Sequence, residues 1–157
     1  MNMNQFTQKT LQALEQAQTL AQEHGNQQLE QAHMLLALLE QENGLIPQLL
    51  VKVGMEPGGL DREVRGLVER LPKVTGGGQV YLGRELDLAL QAAERQAKRM
   101  QDEYISVEHI LLGILEKPSE NLRPILSHSG LTQEKLLEAL KSVRGSQRVT
   151  SDNPEET

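Results

Sequence analysis

Near the amino terminus the apolar positions are Thr10 (through its methyl group), Ala13, Leu14, Ala17, Leu20 and Ala21, with glutamines and charges between them. Spacing of three and four predicts a helix with one face of small side chains, suited to close approach by a neighbour. Thr7 is placed to cap that helix, Phe6 to staple onto Leu11, and Gly25 with Asn26 to end it. The next segment, HMLLALLE at residues 33–40, is apolar almost all the way round, which predicts a helix inside the fold. A short helix is expected over 45–53, stopped by Gly54. A fourth follows over 60–70, with Leu60, Val64, Leu67 and Leu71 on one face.

The same order then recurs. Residues 109–116 read HILLGILE, identical to 33–40 at five of eight positions, and a gapless shift of 76 lays residues 6–69 over 82–145. The shift brings Ala13 onto Ala89, Ala17 onto Ala93, His33 onto His109, Leu36 onto Leu112, Gly54 onto Gly130 and Leu60 onto Leu136. A constant offset of this length marks an internal duplication, and two copies are too few to extend as a solenoid, so their apolar faces must cover each other. The expected fold is all-α: about eight helices as two pseudo-twofold four-helix repeats sharing one core. In the second copy Ser106 is the natural N-cap of the central helix, with Glu108 in its first turn. The third and fourth helices are expected over 122–129 and 132–142, with Lys141 and Arg144 suited to the negative pole of the last one. Repeat one (6–71), a connector PKVTGGGQVY (72–81) and repeat two (82–145) make one domain of residues 1–145. The polar stretch 146–157 reads as the start of a linker.

Composition narrows the function. The chain has no cysteine, which excludes disulfides and thiolate metal sites. A net charge of −6 and only one Phe and two Tyr argue against nucleic acid as a partner. No apolar run is long enough to cross a membrane or to act as a signal peptide, so a cytoplasmic protein with no membrane partner is expected. TGGGQ at 75–79 lacks the preceding strand and the following Lys-Ser/Thr of a phosphate cradle and reads as connector. His24, His33, His109 and His128 lack the spacing of a helical metal site. His33 and His109 hold matching places near the starts of the central helices, which points to a structural role for both. No nucleophile motif occurs, and Asp102 with Glu108 could serve acid–base chemistry only given a cleft and a substrate, so no enzyme is expected.

A binding site need exist only once, so positions where the copies differ are informative. Thr7 lies opposite Gly83, Asn26 opposite Asp102, Ala32 opposite Glu108, and Leu11 opposite Asp87, while Leu88 falls off the stripe of Leu86, Leu90 and Ala93. Exposed aliphatic residues beside a few polar groups can form a binding groove. The candidate substrate-binding residues are Thr7, Asp102, Glu108, Leu11, Leu88 and Leu90.

Two copies bearing HMLLALL and HILLGIL, the opening FTQKTLQALEQAQTLA and the tail VRGSQRVTSDNPEE together resemble the amino-terminal domain of the Clp unfoldases, most closely their disaggregase branch. The resemblance covers essentially the whole chain. It implies a helical domain, mobile on a linker, ahead of two AAA+ modules that bind ATP and Mg and assemble a hexamer. No Walker motif occurs here, so the fragment itself implies no cofactor and, alone, a monomer. The resemblance also implies recognition of unfolded or aggregated polypeptides, with the DnaK chaperone system acting beside the full-length protein. In the family a threonine early in the first helix and two acidic residues around the second central helix are tied to that role, corresponding to Thr7, Asp102 and Glu108. His109 departs from relatives that carry a large apolar residue there. Related Clp proteins imply an alternative, a docking platform for a folded adaptor.

Overall fold

The computed structural model describes residues 3–76, 78–145 and 147–154. Gly77 of the connector and residues 146 and 155–157 of the expected linker lie outside the described residues. After a single 3-10 turn at Met3–Gln5, the first copy builds α1 (Gln8–Glu23), β1 (Gln28–Leu29), α2 (Gln31–Glu40), α3 (Leu45–Val53) and α4 (Pro57–Arg70). The second builds β2 (Tyr81–Leu82), α5 (Arg84–Arg99), α6 (Val107–Glu116), α7 (Arg123–Ser129) and α8 (Gln133–Arg144). The all-α double repeat is thus present as expected. Thr7 and Thr132 cap α1 and α8 through side chains that accept the N–H of Thr10 and Lys135. Gly54 and Gly130 end α3 and α7 at φ +98° and +80°, a region open to glycine. Helix α4 begins three residues before the expected Leu60, because Pro57 at its first position is already set to helical φ and needs no N–H partner there.

Two short parallel pairings cross between the copies. Strand β1 pairs with β2, Leu29 opposite Leu82, and Phe6 makes an isolated parallel bridge to Ile105. Under the repeat shift Phe6 becomes Leu82 and Leu29 becomes Ile105, so these are one pairing made twice. In each, the segment leading into the first helix of one copy binds the backbone ahead of the central helix of the other: Thr7 N–H donates to Ile105 O at 3.1 Å and Gly83 N–H to Leu29 O at 2.9 Å. The connector therefore ends in ordered pairing at Tyr81–Leu82, and its start is tied down by Val74 N–H donating to Gly25 O at 2.8 Å. Periodicity carries no signal for two-residue strands held by backbone alone.

Residues Gln31–Leu39 of α2 and Val107–Ile114 of α6 are all buried. Helices α1 and α4 cover α2, α5 covers α6, and α3 lies against α8 across the copies. The α5–α6 contact is the closest because a Cβ added at Gly113 would lie 2.3 Å from Ala89 O and 2.8 Å from Ala93 N. No described helix is long and apolar enough to cross a membrane.

Replacing Leu36 or Leu112, both fully buried, by Ala should each cost about 2–5 kcal/mol in urea unfolding, the range for a buried leucine. A loss below about 1 kcal/mol at both positions would mean that these helices are not the core. Gly113→Ala should cost about 1–3 kcal/mol, because its methyl group meets backbone that cannot swing aside.

Candidate functional site

Each central helix begins with a histidine standing where a capping box ordinarily has Glu or Gln. His33 Nδ1 accepts the Glu30 N–H at 2.9 Å, which leaves the ring proton on Nε2, donated to Asn26 Oδ1 at 2.8 Å. His109 repeats the arrangement, accepting the Ser106 N–H at 2.9 Å and donating to Asp102 Oδ2 at 2.7 Å. Both histidines are fully buried and position the loop before their helix. After each fourth helix the chain returns across this pair. Asn26 Nδ2 donates to Pro72 O at 3.2 Å, and Val149 N–H donates to Asp102 Oδ1 at 2.8 Å.

What is neutral in copy one is charged in copy two. The repeat places Asn26, Ala32 and Val68 opposite Asp102, Glu108 and Arg144. Arg144 turns inward: Nη2 reaches Asp102 Oδ1 at 2.6 Å and Nη1 reaches Glu108 Oε2 at 3.5 Å, while Ser106 Oγ donates to the other Glu108 oxygen. The side chains of Asp102, Glu108 and Arg144 are 0%, 4% and 12% exposed. Arg144 stands in the last turn of α8, as expected, and there it also answers a stronger demand, because two buried carboxylates need a cation. Burial pushes the Asp102 carboxyl up, but hydrogen bonds from His109, Arg144 and the Val149 N–H, with the Arg144 charge, outweigh it and hold it at about 2.

The duplication also makes two equivalent junctions, where the first turn of a central helix meets the other copy, and only one is filled. In copy one Gln31 spans the junction, donating to Glu85 O at 2.8 Å and Lys117 O at 2.7 Å and accepting the Ser119 N–H at 2.8 Å. Its counterpart in copy two is Val107, too short and too apolar to bridge. A cavity of about 380 Å³ remains there, lined by Lys9, Gln41, Leu45, Gln48, Val107, Glu108, Val143, Arg144 and Val149.

Of the residues expected from sequence, Asp102 and Glu108 come together through Arg144, and Glu108 borders the cavity. Thr7 is fully buried beside them in the fold: its Oγ1 accepts the Thr10 N–H at 3.2 Å and meets Thr10 Oγ1, which donates to Ile105 O at 3.0 Å. It holds the start of α1 against the loop that carries Asp102. Leu11 is half-buried against the core one turn later, and Leu90 is core. Leu88 is 37% exposed but stands apart, about 16 Å of helix rise from the end of α5 that leads to Asp102. Sequence reading missed Val107 and Arg144. Both were visible in the repeat alignment as the pairs Gln31/Val107 and Val68/Arg144.

Two four-helix copies around shared central helices, with one junction filled and the other open, define an all-helical double-repeat domain. The family profile described as Clp repeat (R) N-terminal domain matches residues 5–129, and the chain belongs to that family. That family is of an amino-terminal domain, distinct from the ATPase module. The chain is 38% identical over 161 aligned residues to the chaperone protein ClpB of Bacillus cereus, covering 100% of the chain, and 42% identical over 154 to ClpB 1 of Parasynechococcus marenigrum, covering 98%. It spans 18% of the length of each. Among solved structures, the Hsp104 N-terminal domain from Candida albicans superposes with a TM-score of 0.84 at 23% identity, covering 96% of this chain and 98% of that one. A ClpV N-domain in complex with a VipB peptide gives 0.74 at 20%, covering 98% and 91%. These two likenesses concern the fold.

Burial, helped by the nearby His24 charge, lowers the His33 imidazole from 6.5 to about 4. As pH falls below 6.5 the unfolded chain binds a proton that the folded chain refuses, so stability should drop between about pH 6.5 and 4, by up to about 3 kcal/mol. The depressed Asp102 acts in a separate window, losing its contribution only as pH falls from about 3.8 towards about 2. Urea unfolding of the protein and of His33→Gln across pH 7 to 3 checks this. The variant should be less stable at pH 7 and flatter from 6.5 to 4, and parallel curves would refute the buried neutral ring.

Proposed function

We propose that the domain works in the cytoplasm as the substrate-recognition part of an ATP-dependent disaggregase, binding unfolded or aggregated polypeptides weakly and aiding their delivery to an ATPase ring. The single observation carrying this reading is the cavity at the Val107 junction, whose lining pairs aliphatic side chains (Leu45, Val107, Val143) with Glu108, Lys9 and Gln41. That mixture suits a peptide segment with apolar side chains and an unsatisfied backbone. The ClpB kinship and the peptide held by the ClpV N-domain support it. In the longer protein, hexameric modules using ATP and Mg would supply the work, with the DnaK system beside them, and Thr7, Asp102 and Glu108 would set the geometry of the site.

Low affinity fits the role. Burying about 300 Å² of apolar surface yields roughly 7 kcal/mol, against an association cost of about 4–15 kcal/mol. Several tethered domains on one ring would recover avidity without new contacts.

A second reading, docking of a folded adaptor, draws on a different surface. Tyr81 and Leu82 are 56% and 51% exposed at the β2 edge, a few residues before Leu88.

Fluorescence anisotropy with labelled casein, an unfolded chain, separates the two. Glu108→Gln, which keeps hydrogen bonding and removes charge, should weaken casein binding several-fold and, because it takes one anion from the buried network, also lower the melting temperature, so binding is compared below that transition. Thr7→Ala should weaken binding and also cost about 1 kcal/mol of stability through the lost cap. Normal binding by both folded variants would remove the Val107 junction from the site. If none of these folded proteins, the parent chain included, bound casein, the folded-adaptor reading would be favoured, and loss of casein binding by Leu82→Ser alone would move the polypeptide site to the β2 edge.

A further inference from the structure

The chain that leaves α8 does not depart from the domain. Past Arg144, whose Nη2 also donates to Gln147 O at 3.0 Å, it runs back over the charged network. Val149 is 4% exposed, its N–H donates to Asp102 Oδ1 at 2.8 Å, and its carbonyl accepts the Glu103 N–H at 2.7 Å. Three residues on, Asp152 O accepts the N–H of Gln8, the residue after Thr7, at 2.7 Å. The tail therefore lies across both places that the family reading ties to substrate, the Asp102 loop and the start of α1. It also divides two hollows. The cavity of about 380 Å³ has Gln147, Arg148 and Val149 in its wall, and on the other side a groove of about 830 Å³, lined by Met100, Leu137, Leu140 and Lys141, shares Arg144, Gln147 and Arg148.

We propose that residues 147–152 are an intramolecular occupant of the polypeptide site, and that an extended polypeptide binds by taking the place of the tail, with a small aliphatic residue in the seat of Val149. This rests on the polypeptide-recognition reading above and adds to it the binding mode and a built-in competitor. The tail shows the pairing a ligand would make: an N–H to the Asp102 carboxylate, a carbonyl to the Glu103 N–H, one aliphatic side chain buried between them, and a carbonyl to the Gln8 N–H. This is recognition of extended backbone, which tolerates many sequences. A site closed part of the time binds with its affinity reduced by the open fraction.

The test uses the 157-residue chain and two variants. Val149→Pro removes the N–H donated to Asp102, and Val149→Ser keeps that N–H but empties the side-chain seat; circular dichroism melting checks that each is folded. Labelled casein should bind Val149→Pro about tenfold more tightly than the parent chain, the factor for a site about 90% closed, with Val149→Ser between them. The peptide QRVTSDN, added to Val149→Pro, should displace casein and shift the amide resonances of Glu103 and Gln8. Equal casein binding by parent and variants overturns the competitor and leaves polypeptide recognition standing. Casein bound by none of the three overturns the recognition reading and the competitor with it. Absence of shifts at Glu103 and Gln8 on adding the peptide overturns the proposed seat, whatever casein does.

Discussion

Two helices that have no polar face govern this structure. Helices α2 and α6 can be stable only where protein touches them on every side, and a four-helix copy cannot enclose its own central helix. Each copy therefore lends cover to the other. The loan is reciprocal down to the backbone, since the lead-in segment of each first helix pairs with the residues ahead of the opposite central helix, Phe6 with Ile105 and Leu82 with Leu29. Small residues on α1 and α5 follow from the same demand, and Gly113 is its limit, where helix backbone rests on helix backbone.

The proposed site lies where this symmetry is broken. A neutral trio in copy one, Asn26, Ala32 and Val68, becomes Asp102, Glu108 and Arg144 in copy two. Buried ion pairs are poor sources of stability but constrain geometry strongly, because each member would be costly to leave unpaired. Here the constraint passes outward: Arg144 fixes the end of α8, Asp102 captures the next stretch of chain through Val149, and the unbridged Val107 leaves space beneath.

Much of the fold was legible in the chain. The 76-residue offset, the all-apolar octets and the glycine stops Gly54 and Gly130 mark copies, core and helix ends through side-chain chemistry that repeats. The strand pairings were not legible, since two residues held by backbone hydrogen bonds impose no pattern on side chains. For the site, comparing copies pointed to Asp102 and Glu108, which Arg144 joins, and to aliphatics that the fold does not bring to that pair. Leu90 is core and Leu88 lies along α5 from the charged network. The informative contrast was polar against apolar in a place that looks ordinary, Gln31 against Val107, and its meaning needs the partners Glu85, Lys117 and Ser119, which are distant in sequence.

The crossed pairing gives the connector a role in assembly. Because each copy completes the other, two chains could exchange halves and satisfy every contact described here, yielding an intertwined dimer in place of a closed monomer. The residues from Pro72 to Val80 can reach about 30 Å when extended, and Gly76 and Gly78, both at positive φ, let the second copy turn back onto the first. That keeps the local concentration of the correct partner half far above that of any other chain. A shorter or stiffer joint would hand the same two halves to a neighbouring molecule.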